Sequence, residues 1–127
     1  MSRSLRIIFL IHAIVSAVLG ALLLVIPGRF LGWFGWLPID PIISRLLGAA
    51  LLALAWGSLR GWQAAGQAQI AILLELEAVF CVLASIGMLR HLLVASYPWY
   101  AWLLLAGFVA FAIAWIYALA TRRRKVV

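Results

Sequence analysis

The stretch AILLELEAVFCVLASIG, Ala71 to Gly87, sets two carboxylates, Glu75 and Glu77, inside an otherwise apolar run. His12 and Ser16 interrupt another apolar run in the same way. These four are the intramembrane polar candidates. An ionised carboxylate in lipid is costly, so it pairs, hydrates or takes up a proton. Residues two apart on a helix point about 200° apart, so Glu75 and Glu77 cannot form a close acid-base dyad. Glu77 shares its side of a helix with Cys81, Ala84 and Ser85, the smaller and more polar face. Glu75 shares its side with Ala71, Val79, Val82 and Ile86. The expectation is that Glu77 faces the interior, and that Glu75 faces another helix, a partner or the lipid headgroups.

Glu75 and His12 each lie seven residues past the start of their apolar run, about 10 Å along a helix axis. They enter to a similar depth from the same side, and Ser16 is one turn deeper than His12. His12 is therefore a candidate partner for Glu77 across the centre of a bundle. One use of such a group is a proton- or cation-responsive site. The other is a polar clamp that holds helices in register.

Other chemistry is poorly represented. The single cysteine, Cys81, cannot form an internal disulfide and has no metal-ligand spacing around it. His12 and His91 approach opposite membrane faces, so they cannot share a haem iron, and His12 alone is weak evidence for a pigment. No cofactor or metal is expected. There is no Walker loop, dinucleotide motif, serine elbow or zinc spacing, so the chain does not read as an enzyme. Arg45 and Arg90 approach one membrane boundary from adjacent runs. Together they are candidates to hold a small anion or a lipid phosphate. The alternative is that they snorkel, with Asp40 as one counter-charge.

The elements that must position these residues follow from composition. The 127 residues are 69% hydrophobic and 10% charged, with a mean hydropathy of +1.21. A soluble chain of this length could not bury so much apolar surface. The net charge of +7 does not indicate a nucleic-acid partner. Arg122, Arg123, Arg124 and Lys125 form one cluster and the other basic residues flank apolar runs, which is the layout of membrane anchors.

A helix needs about 20 apolar residues to cross a bilayer. Four runs qualify, at about Leu5–Ile26, Ile42–Leu59, Ala68–Val94 and Trp99–Leu119. Pro27-Gly28 stops the first. Asp40 can cap the second, with Pro41 at its first helical position. The first run is long for a cleaved leader and holds a histidine, so it reads as a true span. Arg3, Arg6, Arg60 and the four clustered basic residues flank one side, seven in all, against Arg29, Arg45 and Arg90 on the other. This bias predicts that both termini are cytoplasmic, in a bacterial inner membrane. Trp33, Phe34, Trp36, Tyr97, Trp99, Tyr100 and Trp102 fall at the outer boundary, and Trp62 and Tyr117 at the inner one. The segment Gly28 to Pro41 reads as an interfacial anchor.

Small residues four apart let helices approach closely in lipid. Three lines stand out: Ala13, Ala17, Ala21; Ala49, Ala53, Gly57; and Ala106, Ala110, Ala114, Ala118. The predicted fold is all-α, an integral membrane up-down four-helix bundle forming a single transmembrane domain over residues 1–127.

The run SRLLGAALLALAWGSLRGW, Ser44 to Trp62, resembles the second helix of small four-helix bacterial membrane proteins of the DoxX-like kind. Arg45 and Gly48 fill the places of an arginine followed by a glycine in that pattern. The resemblance covers one helix well and the rest as hydropathy, and it implies a fold more than a function. Small multidrug resistance proteins carry a key glutamate in the first helix, where this chain has His12. Fluoride channels are near charge-balanced in topology, and this chain is not. The expected function is a structural or accessory role through helix packing, as a homo-oligomer or in a larger membrane complex. The alternative is a small proton- or cation-coupled transporter or channel using Glu77 and His12.

Overall fold

The computed structural model describes residues 2–36, 38–64 and 66–123. The fold is all-α. Its helices are α1 (Arg3–Val25), α2 (Pro27–Trp33), α3 (Pro41–Gln63), α4 (Gln67–Val94) and α5 (Trp99–Arg123). All but α2 are long and apolar enough to cross a membrane. The 23 residues of α1 or α3 reach about 35 Å, against a hydrocarbon core of about 30 Å. The chain is a multi-pass membrane protein.

Local sequence explains the helix limits. The Ser2 hydroxyl accepts the Leu5 N–H at 3.3 Å and caps α1. Pro27 cannot donate to the preceding turn, so α1 ends at Val25 and Pro27 opens α2 at its first turn. The Asp40 carboxylate accepts the N–H groups of Ile42 and Ile43 at 2.9 and 3.0 Å, with Pro41 opening α3. Both α3 and α5 run about four residues past their apolar stretches. Gln63, Thr121 and Arg122 keep helical backbone where hydropathy has already fallen, because a helix does not need apolar side chains once it leaves the hydrocarbon. Arg124 and Lys125 of the basic cluster lie outside the described residues. Gly28 to Pro41, expected as an interfacial segment, begins in the short α2. There the Phe30 ring meets Trp33 and Phe34 edge-on, at centroid distances of 6.2 and 5.6 Å. Gly35 turns the chain after α2 with φ +67°, a conformation open to glycine.

The chain forms two compact units, Met1–Ala65 and Gly66–Val127. In the first, α1 and α3 pack antiparallel. Phe9 meets Gly61, His12 meets Ser58, Gly20 meets Gly48 and Leu24 meets Arg45. The closest approach is glycine against glycine. A Cβ built on Gly48 would lie 2.7 Å from the Leu24 nitrogen and 2.8 Å from the Gly20 oxygen. Only hydrogen side chains permit this spacing, so Gly20 and Gly48 set the distance between the two helices.

Within this unit the helices pack on other residues than the small-residue lines. The buried face of α1 is Leu5, Phe9, His12, Ala13, Ser16, Gly20 and Leu23. That of α3 is Gly48, Leu51, Leu54, Ala55, Ser58 and Gly61. Ala21, Ala49 and Ala53 are exposed, and Ala17 and Gly57 are half-buried. The reason is geometric. Steps of four advance about 40° around the helix each time, so a strict four-residue line walks off the contact face. Alternating steps of three and four, as in Gly48, Leu51, Ala55 and Ser58, stay on it.

In the second unit, residues 95–98 join α4 to α5, and so short a link returns the chain antiparallel. The buried side chains are Ile70, Leu74, Glu77, Ala78, Cys81 and Leu92 on α4, and Ala101, Leu105, Ala112, Trp115 and Ala118 on α5. The Phe80 and Phe108 rings sit 6.0 Å apart across the pair. Of the expected α5 line, Ala106 and Ala110 are exposed, Ala114 is half-buried and Ala118 is buried.

Candidate functional site

In the first unit the buried polar group is built on the α1–α3 contact. His12 and Ser16 are one turn apart on α1, so both side chains point to the same side. Ser58 faces them from α3. His12 Nδ1 is 2.9 Å from Ser58 Oγ, and His12 Nε2 is 3.3 Å from Ser16 Oγ. All three residues are buried. A neutral imidazole donates through one nitrogen and accepts through the other, and a serine hydroxyl can take either role. The cluster therefore satisfies both ring nitrogens without a formal charge, and it ties α1 to α3 a little over two turns from the Gly20–Gly48 crossing.

In the second unit Glu77 is fully buried, whereas Glu75 on the same helix is exposed. Leu74, Glu77, Ala78 and Cys81 form one continuous face of α4. Cys81 lies within reach of Glu77, one turn back, and of the Trp115 indole on α5. The Trp115 ring stacks on Phe111 at 6.4 Å. Ser85 spends its hydroxyl locally, donating to the Cys81 carbonyl at 2.7 Å. A buried carboxylate beside a thiol and an indole is a polar patch in an apolar helix pair. It can hold a proton or present a charge inside the membrane. Among the described residues, no group of three or more His, Cys, Asp or Glu could hold a metal ion.

The two boundary arginines have different surroundings. Arg45 Nε donates to the Leu24 carbonyl at 3.2 Å. That carbonyl belongs to the last turn of α1, where helix carbonyls lack partners within the helix and carry partial negative charge. Asp40 caps α3, as its place before Pro41 leads one to expect. Arg90 is in the second unit and lines a recess of about 640 Å³ with Gly87, His91, Val94, Ala95 and Tyr97.

Ser58 and the recess are absent from the sequence reading. Ser58 was legible in principle. It falls on the same mixed three-and-four repeat as Gly48, Leu51 and Ala55, which the search for strict four-residue lines passes over. The recess includes Ala95 and Tyr97 from beyond the end of α4, and no periodicity encodes that.

No family model, no curated protein and no solved structure matches this chain.

Proposed function

We propose that this protein is a structural or accessory component of a membrane complex, acting through helix packing with copies of itself or with larger partners. The observation that carries the reading is the exposure of Ala49 and Ala53 on α3 and of Ala106 and Ala110 on α5. Internal packing of the first unit uses a different face of α3, so this smooth side is left over for another helix. In lipid, close backbone approach is a main source of helix association, and small side chains permit it. The resemblance to DoxX-like proteins is compatible with this role, as is placement in a bacterial inner membrane with both termini cytoplasmic.

The test is the assembly state of the protein in native membranes, read by cross-linking and by size in mild detergent. Ala53→Leu and Ala110→Leu should each leave the isolated chain folded and reduce the larger species. Unchanged assembly in both variants refutes the reading. Labelling of cysteines added at either terminus from outside intact cells, in a Cys81→Ser background, would refute the orientation.

A second reading, a small proton- or cation-coupled transporter or channel, is favoured by the burial of Glu77 in a span that also carries an exposed carboxylate. Intramembrane carboxylates mark ion paths in many proteins. Flux in liposomes that disappears in Glu77→Gln, with folding intact, would favour this reading over the first. Absence of flux in both forms excludes it.

A further inference from the structure

We propose that the recess at the C-terminal end of α4 seats the headgroup of an anionic phospholipid, with Arg90 as the residue that binds its phosphate. The proposal rests on the protein being embedded in a membrane. It does not depend on which of the functional readings above holds.

The recess is built on one helix face. Gly87, Arg90, His91 and Val94 follow one another at steps of three, one and three, so all four lie on one side of α4. Ala95 and Tyr97 close its end from the connection to α5. It is an open groove of about 640 Å³: Tyr97 is half-buried and the other lining residues are exposed, so an occupant would keep one side toward the membrane. Gly87 forms an open ledge, since a Cβ there would meet nothing within 4 Å. Val94 and Ala95 add apolar wall.

The chemistry of the lining selects the occupant. Arg90 presents a planar fork of N–H donors, the geometry that matches a phosphate two bonds at a time. His91 adds a ring N–H able to donate to a phosphate oxygen. No carboxylate lines the recess. Glu77, on the same helix, is thirteen residues away, about 20 Å along the axis. Basic residues in the last turn of a helix also complement its dipole, but that requires only that they point to water. It does not require a groove with a glycine ledge and a tyrosine beside it.

Depth selects a lipid over a free anion. The 28 residues of α4 reach about 42 Å, some 12 Å more than the hydrocarbon core. Shared equally between the two ends, this leaves about 6 Å, roughly the last turn of α4, beyond the hydrocarbon, within reach of the Arg90 side chain. Trp99, Tyr100 and Trp102 follow directly in sequence and supply the aromatic side chains that favour this layer. Gly87 to Val94 spans about 10 Å along the axis, enough for a phosphate near Arg90 and a glycerol backbone over the Gly87 ledge.

The test uses the full chain reconstituted in phosphatidylcholine vesicles doped with phosphatidylglycerol. It is then extracted in mild detergent, and retained lipid is counted by native mass spectrometry. The native protein should retain phosphatidylglycerol. Arg90→Gln should lower its apparent affinity by roughly tenfold or more, because a charge-assisted contact is lost. Arg45→Gln, whose donor serves the Leu24 carbonyl, should retain lipid as the native protein does. Gly87→Leu keeps every charge and meets no neighbour near its Cβ, so it should fold and still lose the lipid by filling the ledge. Native-like retention in either Arg90→Gln or Gly87→Leu overturns the proposal. So does displacement of the lipid by inorganic phosphate at equal concentration, which would make the recess a site for a free anion.

Discussion

Gly48→Ala is the sharpest probe of the α1–α3 contact. The added Cβ would lie 2.7 Å from the Leu24 nitrogen, 2.8 Å from the Gly20 oxygen and 3.1 Å from the Leu23 carbonyl carbon. All three are backbone atoms, so no side chain can rotate away. Ordinary contact begins at 3.4 Å, so α1 and α3 must part by about 0.7 Å or tilt to the same effect. Overpacking of this kind costs about 1–3 kcal/mol. Alanine also improves helix propensity over glycine by about 1 kcal/mol. The net change is then between roughly zero and 2 kcal/mol of destabilisation. Gly107→Ala on α5 isolates the packing term, because a Cβ there meets nothing within 4 Å. It carries the propensity gain alone. The two variants should therefore differ by about 1–3 kcal/mol, read from unfolding midpoints in mixed micelles titrated with a denaturing detergent. If they agree within about 0.5 kcal/mol, the scatter of ordinary surface changes, the close glycine crossing is not what holds α1 to α3.

The same unfolding assay reaches three further sites. Ser58→Ala removes the hydroxyl 2.9 Å from His12 Nδ1 in a buried place, and should cost about 1–3 kcal/mol; Ser16→Ala, at the longer 3.3 Å contact, should cost less, and equal losses would mean that the cluster acts as one unit. Leu54→Ala should cost about 2–5 kcal/mol because Leu54 is buried, whereas Ala53→Leu, on the exposed side, should leave the isolated chain nearly unchanged; the reverse order would mean that α3 is rotated about its axis. Asp40→Ala should lose about 1 kcal/mol as two N–H groups of α3 lose their cap, with Asp40→Asn retaining most of it; a loss as large in Asn as in Ala would point to a role for the charge itself.

The long helices were legible because lipid imposes a simple rule. Twenty apolar residues, a proline at Pro27 and an Asp-Pro pair at Asp40 and Pro41 leave few ways to place α1 and α3. The division of the two glutamates was legible for a similar reason. Residues two apart on one helix point to opposite sides, and the smaller neighbours of Glu77 mark which side is crowded. Helix pairing was less legible. Every span is apolar all round, so hydropathy does not distinguish lipid-facing from protein-facing sides. Small residues then appear on several faces at once, and the alanine line Ala49–Ala53 is as prominent in sequence as the Gly48 face that is used. Only the positions where bulk is forbidden by a facing backbone discriminate, and those belong to pairs such as Gly20 and Gly48. Arg45 and Arg90 look equivalent as boundary arginines. One serves a helix end and the other a recess, because what surrounds each is set by the chain on either side.

The division into two self-contained helical units bears on how the chain is made. Each unit is a contiguous half of the sequence, so neither waits for distant residues to complete its own contacts. A ribosome adds about 5–20 residues per second. Once α3 has left it, several seconds pass before α4 and α5 follow. During that interval the Gly20–Gly48 crossing and the His12, Ser16 and Ser58 cluster have every residue they need. The order of synthesis thus gives α1 and α3 time to find each other before the later apolar helices can compete for their faces, which matters in a chain whose spans are so alike in hydropathy.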